Sequence, residues 1–276
     1  MPVGSTTPRR APGGRRLTGE RPIEDVTPDS LLALHAAGYR AVTERLGPGL
    51  LLDVGCGEGF ESARLGAPDR PVVGVDYDHG AALRAAGAGS GQGAALSVAQ
   101  CDARRICLGT GTVRWACSSH LIEHFADPEA HAAEVARVLD PDGTAFFITP
   151  NAPADFENPF HIRLFGPDDL GALLRRSFAD VEVLGLDAVD RVKADFAGRR
   201  ERARKVLRLD VLDLRHRLPR SWYIALYTRA LPVAYRLMAR GGTGGASGIT
   251  AGDFFVTERV DETTLVLFAV ARRPRR

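Results

Sequence analysis

The sequence has no apolar run near the ~18 residues that a membrane span needs, and its N-terminus lacks the apolar segment of a secretory leader. A cytoplasmic protein is therefore expected. Cysteine is scarce: Cys56, Cys101, Cys107 and Cys117 are the only four, and none stands in CxxC spacing. That argues against a disulfide-built scaffold, and three of the four fall in or just after apolar strand-like runs, as small core residues do. An excess of one charge is also lacking. A net charge of +2 and a pI near 8.4 give no global attraction to nucleic acid, and the basic residues crowd the two termini and one internal segment. What is present is ordinary globular material. The 276 residues, 45% of them hydrophobic, can bury a full core as one domain with an insertion.

The chain is organised around Leu50 to Phe60, LLLDVGCGEGF. Three leucines, Asp53 and Val54 predict a buried parallel strand, and Gly55, Cys56, Gly57, Glu58 and Gly59 then turn the chain into a helix running to Leu65. Glycines there let backbone approach a ligand, and open α/β sheets bind ligands at the carboxyl ends of their strands. Here too an absence decides. A dinucleotide fingerprint needs glycine where Phe60 stands, and a phosphate-gripping loop needs a Lys-Ser or Lys-Thr ending that this loop lacks. Asp53 and Glu58 add negative charge, which would repel a diphosphate but suits a ligand bearing an ammonium and a sulfonium. S-adenosylmethionine carries both.

Residues 1–22 are rich in Gly, Pro, Arg and Thr without periodicity, and a disordered tail is expected there. Thr27 and Pro28 predict the start of a helix that Gly47-Pro48-Gly49 ends; His35 and Tyr39, near its apolar face, are expected to pack on the domain rather than join the site. Val72 to Val75 predicts a second strand ending in Asp76, placed to accept hydrogen bonds from both ribose hydroxyls, with Tyr77 next, able to stack beside adenine. Residues 87–93, GAGSGQG, predict a flexible connection, and Ala94 to Gln100 a third strand. Asp102 beyond it is read either as an acceptor for the adenine amino group or as a helix cap. Thr112 to Cys117, Ala145 to Thr149, Asp180 to Leu186 and Thr263 to Ala271 predict the remaining strands, with helices opened by Asp127-Pro128 and Gly166-Pro167. Asn151 leaves the fifth strand at the sheet edge that carries the glycine loop, which makes it a candidate substrate contact.

LLDVGCGEGF, VVGVDYD, the CDA turn, SSHLIEHFADPEAHAAEVARVLDPDGTAFFITPN and NPFHIRLFGPDDL together resemble a class I S-adenosylmethionine-dependent methyltransferase of the small-molecule, type 11/12-like kind. The resemblance covers residues 27–187 and a last strand near 263–271. It implies a Rossmann-like α/β fold: a seven-stranded, mostly parallel sheet with helices on both faces, an antiparallel last strand and a helical insertion before that strand. By the same resemblance Gly55, Cys56, Gly57 and Gly59 hold the methionine part of S-adenosylmethionine, and Asp76 and Tyr77 the ribose and adenine side. Asp102 and Ala103 lie at the adenine edge and Ser118 by the amino acid portion; Asp53 joins this set through its charge. Between strands three and four the chain departs from the family pattern, with ARRICLGTGTVRW in place of a Leu-Pro segment and an Asp.

Methyl transfer from a sulfonium is an in-line displacement that demands alignment and a dry cavity. A hydroxyl acceptor must also lose its proton, and His124 and His161, both near the carboxyl edge, are the candidate catalytic bases. The expectation is O-methylation of a small metabolite, with N- or C-methylation of a small or lipid-like substrate as the alternative and a non-catalytic cofactor-binding domain as a further one. His120-Leu121-Ile122-Glu123-His124 also matches HxxEH, the inverted zinc-peptidase pattern, but it follows a buried strand directly with too short a helix, so no metal is expected and a zinc hydrolase using His120, Glu123 and His124 is the remote alternative. Nucleic acid is not the expected substrate: Asn158-Pro159-Phe160-His161 lacks the second proline of NPPY, and Cys117 follows Ala116 rather than the proline of a cytosine-C5 nucleophile.

The expected division is a tail at 1–22, a cofactor-binding core at 23–187, a helical insertion at 188–250, and the last strand with a basic tail at 251–276. One insertion helix, near 190–216, carries Arg199, Arg200, Arg202, Arg204, Lys205 and Arg208; a second, near 221–239, carries Trp222, Tyr223, Leu226 and Tyr227. A solvated basic face is the first reading, a substrate lid or homodimer surface the second, and an anionic membrane contact the last.

Overall fold

The computed structural model describes residues 27–89, 96–155, 158, 160–207, 222, 229 and 248–276. The expected tail, the end of the 87–93 connection and nearly all of the second insertion helix lie outside the described residues, and with them most of the surface expected for a homodimer.

One sheet holds the molecule together. In chain order its strands are β1 (Leu51–Val54), β2 (Val72–Asp76), β3 (Leu96–Gln100), β4 (Val113–Ser119), β5 (Leu139–Pro150), β6 (Phe178–Ala188), β7 (Phe254–Thr257) and β8 (Val266–Pro274). They lie side by side as β3-β2-β1-β4-β5-β8-β6-β7. β1 to β5 pair in parallel; β1 and β2 are near-continuous apolar runs buried on both faces, and β3 at the edge is half-buried. β8 runs antiparallel between β5 and β6. The sheet has eight strands where seven are expected; the extra one is β7, which pairs antiparallel with β6 at the sheet edge. Four residues, FFVT, alternate there, with Phe254 buried and Phe255 48% exposed.

The helices are α1 (Asp29–Thr43), α2 (Phe60–Leu65), α3 (His79–Gly89), α4 (Pro128–Val138), α5 (Pro167–Leu174) and α6 (Asp190–Leu207). α1 has Pro28 rather than Thr27 in its cap position. α3 runs on into the glycines expected to be a flexible connection. α4 starts as its sequence predicts, with the Asp127 carboxylate accepting the Ala130 N–H at 3.1 Å and Pro128 in the first turn.

Successive strand residues point to opposite faces, and the core divides accordingly. Leu52, Val54, Phe147 and Leu267 pack with Val135, Leu170 and Leu173 of α4 and α5. Leu51, Phe146, Ile148 and Phe268 pack on the other side with Ala37 and Val42 of α1 and Phe196 of α6. A Cβ at Gly38 would come 3.1 Å from Ile148, so the glycine lets α1 lie close on β5. α6 is docked rather than merely solvated: Val192 and Phe196 are buried, and Ser30 of α1 donates to Asp195 at 3.0 Å. No helix among the described residues is long and apolar enough to cross a membrane.

Candidate cofactor and acceptor site

β1 and β4 are neighbours where the strand order reverses, so the loops that follow them diverge and leave a crevice at the carboxyl end of the sheet. The glycine loop forms one wall. Gly55, Gly57 and Gly59 have φ of 79°, 56° and 78°, a left-handed region that costs other residues strain. Space limits the loop as much as angle does: a Cβ at Gly59 would lie 2.8 Å from Cβ of Ala85 on α3, and one at Gly55 3.0 Å from Leu121 beyond β4. The N–H groups of Gly55 and Cys56 donate to the Val75 carbonyl at 2.8 and 3.0 Å, tying the loop back to β2. The Cys56 sulfur would stand 2.9 Å from a Cβ at Gly74, so this side chain packs on β2 and leaves its backbone to meet a ligand.

Asp76 is braced at the end of β2. Its two oxygens accept the N–H of Gly57 at 3.0 Å and of Asp78 at 2.8 Å, which fixes the carboxylate at the mouth of the loop. Tyr77, next along, is 76% exposed. Asp53 lies buried beneath the loop. The Tyr39 hydroxyl donates to both its oxygens at 3.3 and 3.2 Å, and the Ser62 hydroxyl donates at 2.5 Å. Burial lifts the Asp53 carboxyl to about 6 against the pull of Ser62 and Tyr39, and the charge of Asp76 adds to the rise. A cation above the loop would favour its ionised form. Tyr39 is thus part of the site's foundation, which corrects the expectation that it only packs. Glu58, read as a loop charge, is paired with Arg84 at 2.9 Å, so the negative charge at the loop comes from Asp53 and Asp76.

Asp102, expected at the adenine edge, caps no helix. Arg104 holds it through a backbone N–H and a guanidinium nitrogen, each at 2.9 Å, and keeps its pKa below the ordinary carboxylate range. The Ala103 carbonyl accepts from Nδ1 of His131 at 3.0 Å, and His131 Nε2 meets the Ser118 hydroxyl at 2.9 Å. Burial lowers His131 to about 4, so the ring is neutral: it donates through Nδ1 and accepts the Ser118 proton at Nε2. Ser118 therefore gives its hydroxyl to α4, and its backbone pairs between β1 and β5. Sequence reasoning missed His131; its only trace was a histidine in register with the apolar face of α4.

The other wall follows β4. His120 takes φ of 51°, and the chain then makes a short 3-10 turn, Ile122–His124. The HxxEH residues accordingly do not share a helix face. His120 packs on His35 of α1 with ring centroids 4.2 Å apart, whereas His124 meets His161 edge-on at 5.2 Å. Burial and the neighbouring His120 push His35 well below its ordinary value. Glu123 is fully buried: one oxygen accepts from Thr149 Oγ1 at 3.0 Å, and the other, Oε1, lies 3.6 Å from His120 Nδ1 without a hydrogen-bond partner.

The segment around His161 docks on this turn through backbone. Ile162 and Arg163 N–H groups donate to the Glu123 carbonyl at 2.8 and 3.1 Å. His124 Nδ1 donates to the Phe160 carbonyl at 3.0 Å, and His161 Nδ1 to Asp155 at 2.8 Å, with Asn158 Nδ2 3.2 Å from His161 Nε2. Burial pushes Glu123 up, but the imidazoles of His120, His124 and His161 outweigh it and hold the carboxyl at about 2. Burial pulls His161 down, yet Asp155 and Glu123 leave its net direction upward. Glu123, His124 and His161 bring potential ligand atoms within 4.8 Å of one another; His120 is outside that group. Asn151 is buried, and its Nδ2 donates to the carbonyls of Asp261 and Thr264 at 2.9 Å each. The amide nitrogen expected to meet substrate is thus engaged in tying β5 to the turn before β8, and Oδ1 stays unpartnered.

A family described as methyltransferase domain matches residues 52–147, the span from β1 into β5. Curated proteins of two strains of Mycobacterium tuberculosis, each described as a probable S-adenosylmethionine-dependent methyltransferase, are 30% identical over 184 residues. That alignment covers 64% of this chain and 66% of the relatives' own length. Among solved structures, a SAM-dependent methyltransferase from Thermotoga maritima is similar with a TM-score of 0.56 at 16% identity, over 88% of this chain and 90% of that one. Phosphoethanolamine N-methyltransferase 2 of Haemonchus contortus, in complex with S-adenosylmethionine, is similar with a TM-score of 0.53 at 16% identity, over 86% of this chain and 52% of that one. The sheet order, the glycine loop with its braced acid, and the matches in sequence and in structure agree: the chain belongs to the class I S-adenosylmethionine-dependent methyltransferases.

Proposed function

We propose that the protein transfers the methyl group of S-adenosylmethionine to a hydroxyl oxygen of a small molecule. The observation that carries this reading is that a glycine loop after β1 lies over two acids while two half-buried imidazoles, His124 and His161, meet at 5.2 Å beside the turn that follows the neighbouring strand β4. In this reading the backbone of Gly55, Cys56, Gly57 and Gly59 cradles the methionine part above Asp53, and Asp76 accepts from the ribose hydroxyls. Tyr77, Asp102 and Ala103 bound the adenine, and Ser118 lies by the amino acid end. The acceptor oxygen attacks the methyl carbon as the carbon–sulfur bond breaks, leaving S-adenosylhomocysteine. His161, oriented by Asp155 through Nδ1, takes the hydroxyl proton at Nε2 once the Asn158 amide, 3.2 Å from that nitrogen, gives way to the acceptor, and His124 beside it positions the acceptor.

The test is incubation with methyl-labelled S-adenosylmethionine and a metabolite extract, followed by identification of the labelled product. Label on a hydroxyl oxygen is expected, and His124→Ala or His161→Ala should cut turnover by ~10²-fold or more with cofactor affinity unchanged. Label found only on nitrogen or carbon would favour the alternative acceptors. Full turnover in both histidine variants would remove the imidazoles from the reaction, and tight cofactor binding without any turnover would point to a non-catalytic domain.

A further inference from the structure

We infer that Glu123, His124 and His161 form a binding site for a divalent first-row transition-metal ion at the acceptor end of the crevice. Their potential ligand atoms lie within 4.8 Å of one another although His161 is far along the chain from the other two. The two segments are held in place by backbone, through the Ile162 and Arg163 N–H bonds to the Glu123 carbonyl. The donor set, two imidazole nitrogens and one carboxylate oxygen, suits zinc, iron or cobalt better than the all-oxygen preference of magnesium or calcium.

The outer partners are those that metal-binding histidines have. His124 Nδ1 is directed to the Phe160 carbonyl and His161 Nδ1 to the Asp155 carboxylate, which leaves the Nε2 lone pair of each ring as the ligand. Glu123 adds an observation that points to a cation. Its side chain is fully buried, one oxygen is fixed by Thr149, and Oε1 has no hydrogen-bond partner. His120 Nδ1 stands 3.6 Å from that oxygen, too far for a hydrogen bond, and an ion would satisfy it. Binding requires two small changes. The Asn158 amide must leave His161 Nε2, and the three ligand atoms must close to the roughly 3.3 Å separation that bonds of about 2.0 to 2.1 Å impose.

Three protein ligands leave positions on the ion for an incoming oxygen. The inference rests on the proposed reaction only for where the acceptor sits. With the ion in place the two imidazoles would be ligands and His161 would no longer be the base; the ion would instead lower the pKa of a bound acceptor hydroxyl so that its proton passes to solvent, and acceptors with a second oxygen next to the reacting hydroxyl would be favoured because they can chelate.

The experiment is direct metal binding by the full chain after chelator treatment: titration with cobalt chloride followed by visible absorption, and with zinc chloride by calorimetry. One equivalent bound with a Kd below about 10 μM is expected. His161→Ala should weaken it at least tenfold, and Asp155→Asn, which removes an outer partner, by about 10-fold to 100-fold. His79→Ala, on the exposed part of α3, should leave it unchanged. Binding of S-adenosylhomocysteine reports that each variant is folded; should His161→Ala fail that check, Asp155→Asn decides. Absence of cobalt bands and zinc heats in the wild type, or full affinity in the folded variants, overturns the inference. Hydroxyl methylation by a protein that binds no cobalt overturns the metal site and leaves the proposed reaction standing. Cobalt binding without methyl transfer does the reverse.

Discussion

At the scale of single residues, two buried groups titrate in opposite senses. Asp53 keeps its proton up to about 6 in the folded protein and would lose it near about 3.9 when unfolded, so the native state binds more protons in that window. Stability from this group therefore falls as pH rises from about 4 to about 6. His131 does the converse. It stays neutral down to about 4 when folded but charges near about 6.5 when unfolded, so its contribution is present above that value and is lost as pH falls toward 4. Each contributes on the order of 3 kcal/mol, and the two act in opposite directions with pH. Replacing one should expose the other: in Asp53→Asn the melting temperature should climb between pH 4 and 6.5 more steeply than in the wild type. Parallel melting profiles would show that Asp53 is not the opposing group. The Asp76 carboxylate, fixed by two backbone N–H groups, gives a second expectation. Asp76→Ala should weaken S-adenosylmethionine binding by about 1.5 to 3 kcal/mol in calorimetry, and an unchanged affinity would remove it from the ribose site.

At the scale of elements, the junction of α2 with α3 depends on one missing side chain. Gly59 sits at φ 78°, and a Cβ there would meet the Ala85 Cβ and Cα at 2.8 and 2.9 Å, so either the loop or α3 must move. Gly59→Ala should lower the melting temperature by several degrees and abolish cofactor binding, the strain alone costing about 1 kcal/mol or more. Gly87→Ala, within α3, is the contrasting case: the new Cβ meets nothing within 4 Å, and a gain of about 0.5 to 1 kcal/mol is expected. A Gly59→Ala protein as stable as the wild type would show that the two helices have slack. These local features were legible in the sequence. The apolar run ending in Asp53 and Val54, the glycines after it and the acid closing the second strand are each written in a few consecutive residues. Tyr39 under Asp53, His131 behind Ser118, and His161 beside Glu123 were not legible, because each pair joins elements that only the folded sheet brings together. β7 was missed for another reason: four residues are too short a run to show a period, and Phe255 faces outward. α3 hides behind glycines because packing on β2 and β3 outweighs their poor helix propensity.

For the whole molecule, the sheet separates two apolar clusters that share no buried residue. Ile148→Val on the α1 side and Leu170→Ala on the α5 side should cost about 0.5 to 1.5 and 2 to 5 kcal/mol respectively. Their double variant should match the sum within about 0.5 kcal/mol in denaturant titrations, because neither touches the other's neighbours. A clear excess over the sum would mean the faces communicate through the strands. The place of β8 carries a further consequence, for synthesis. β5 and β6 are both made long before the strand that must slide between them, with the whole 189–265 stretch intervening. During that interval each presents a bare apolar edge of the kind that recruits other chains. A polypeptide cut before Val266 would lack the strand that joins β5 to β6, and each would be left with an unpaired edge open to neighbouring chains.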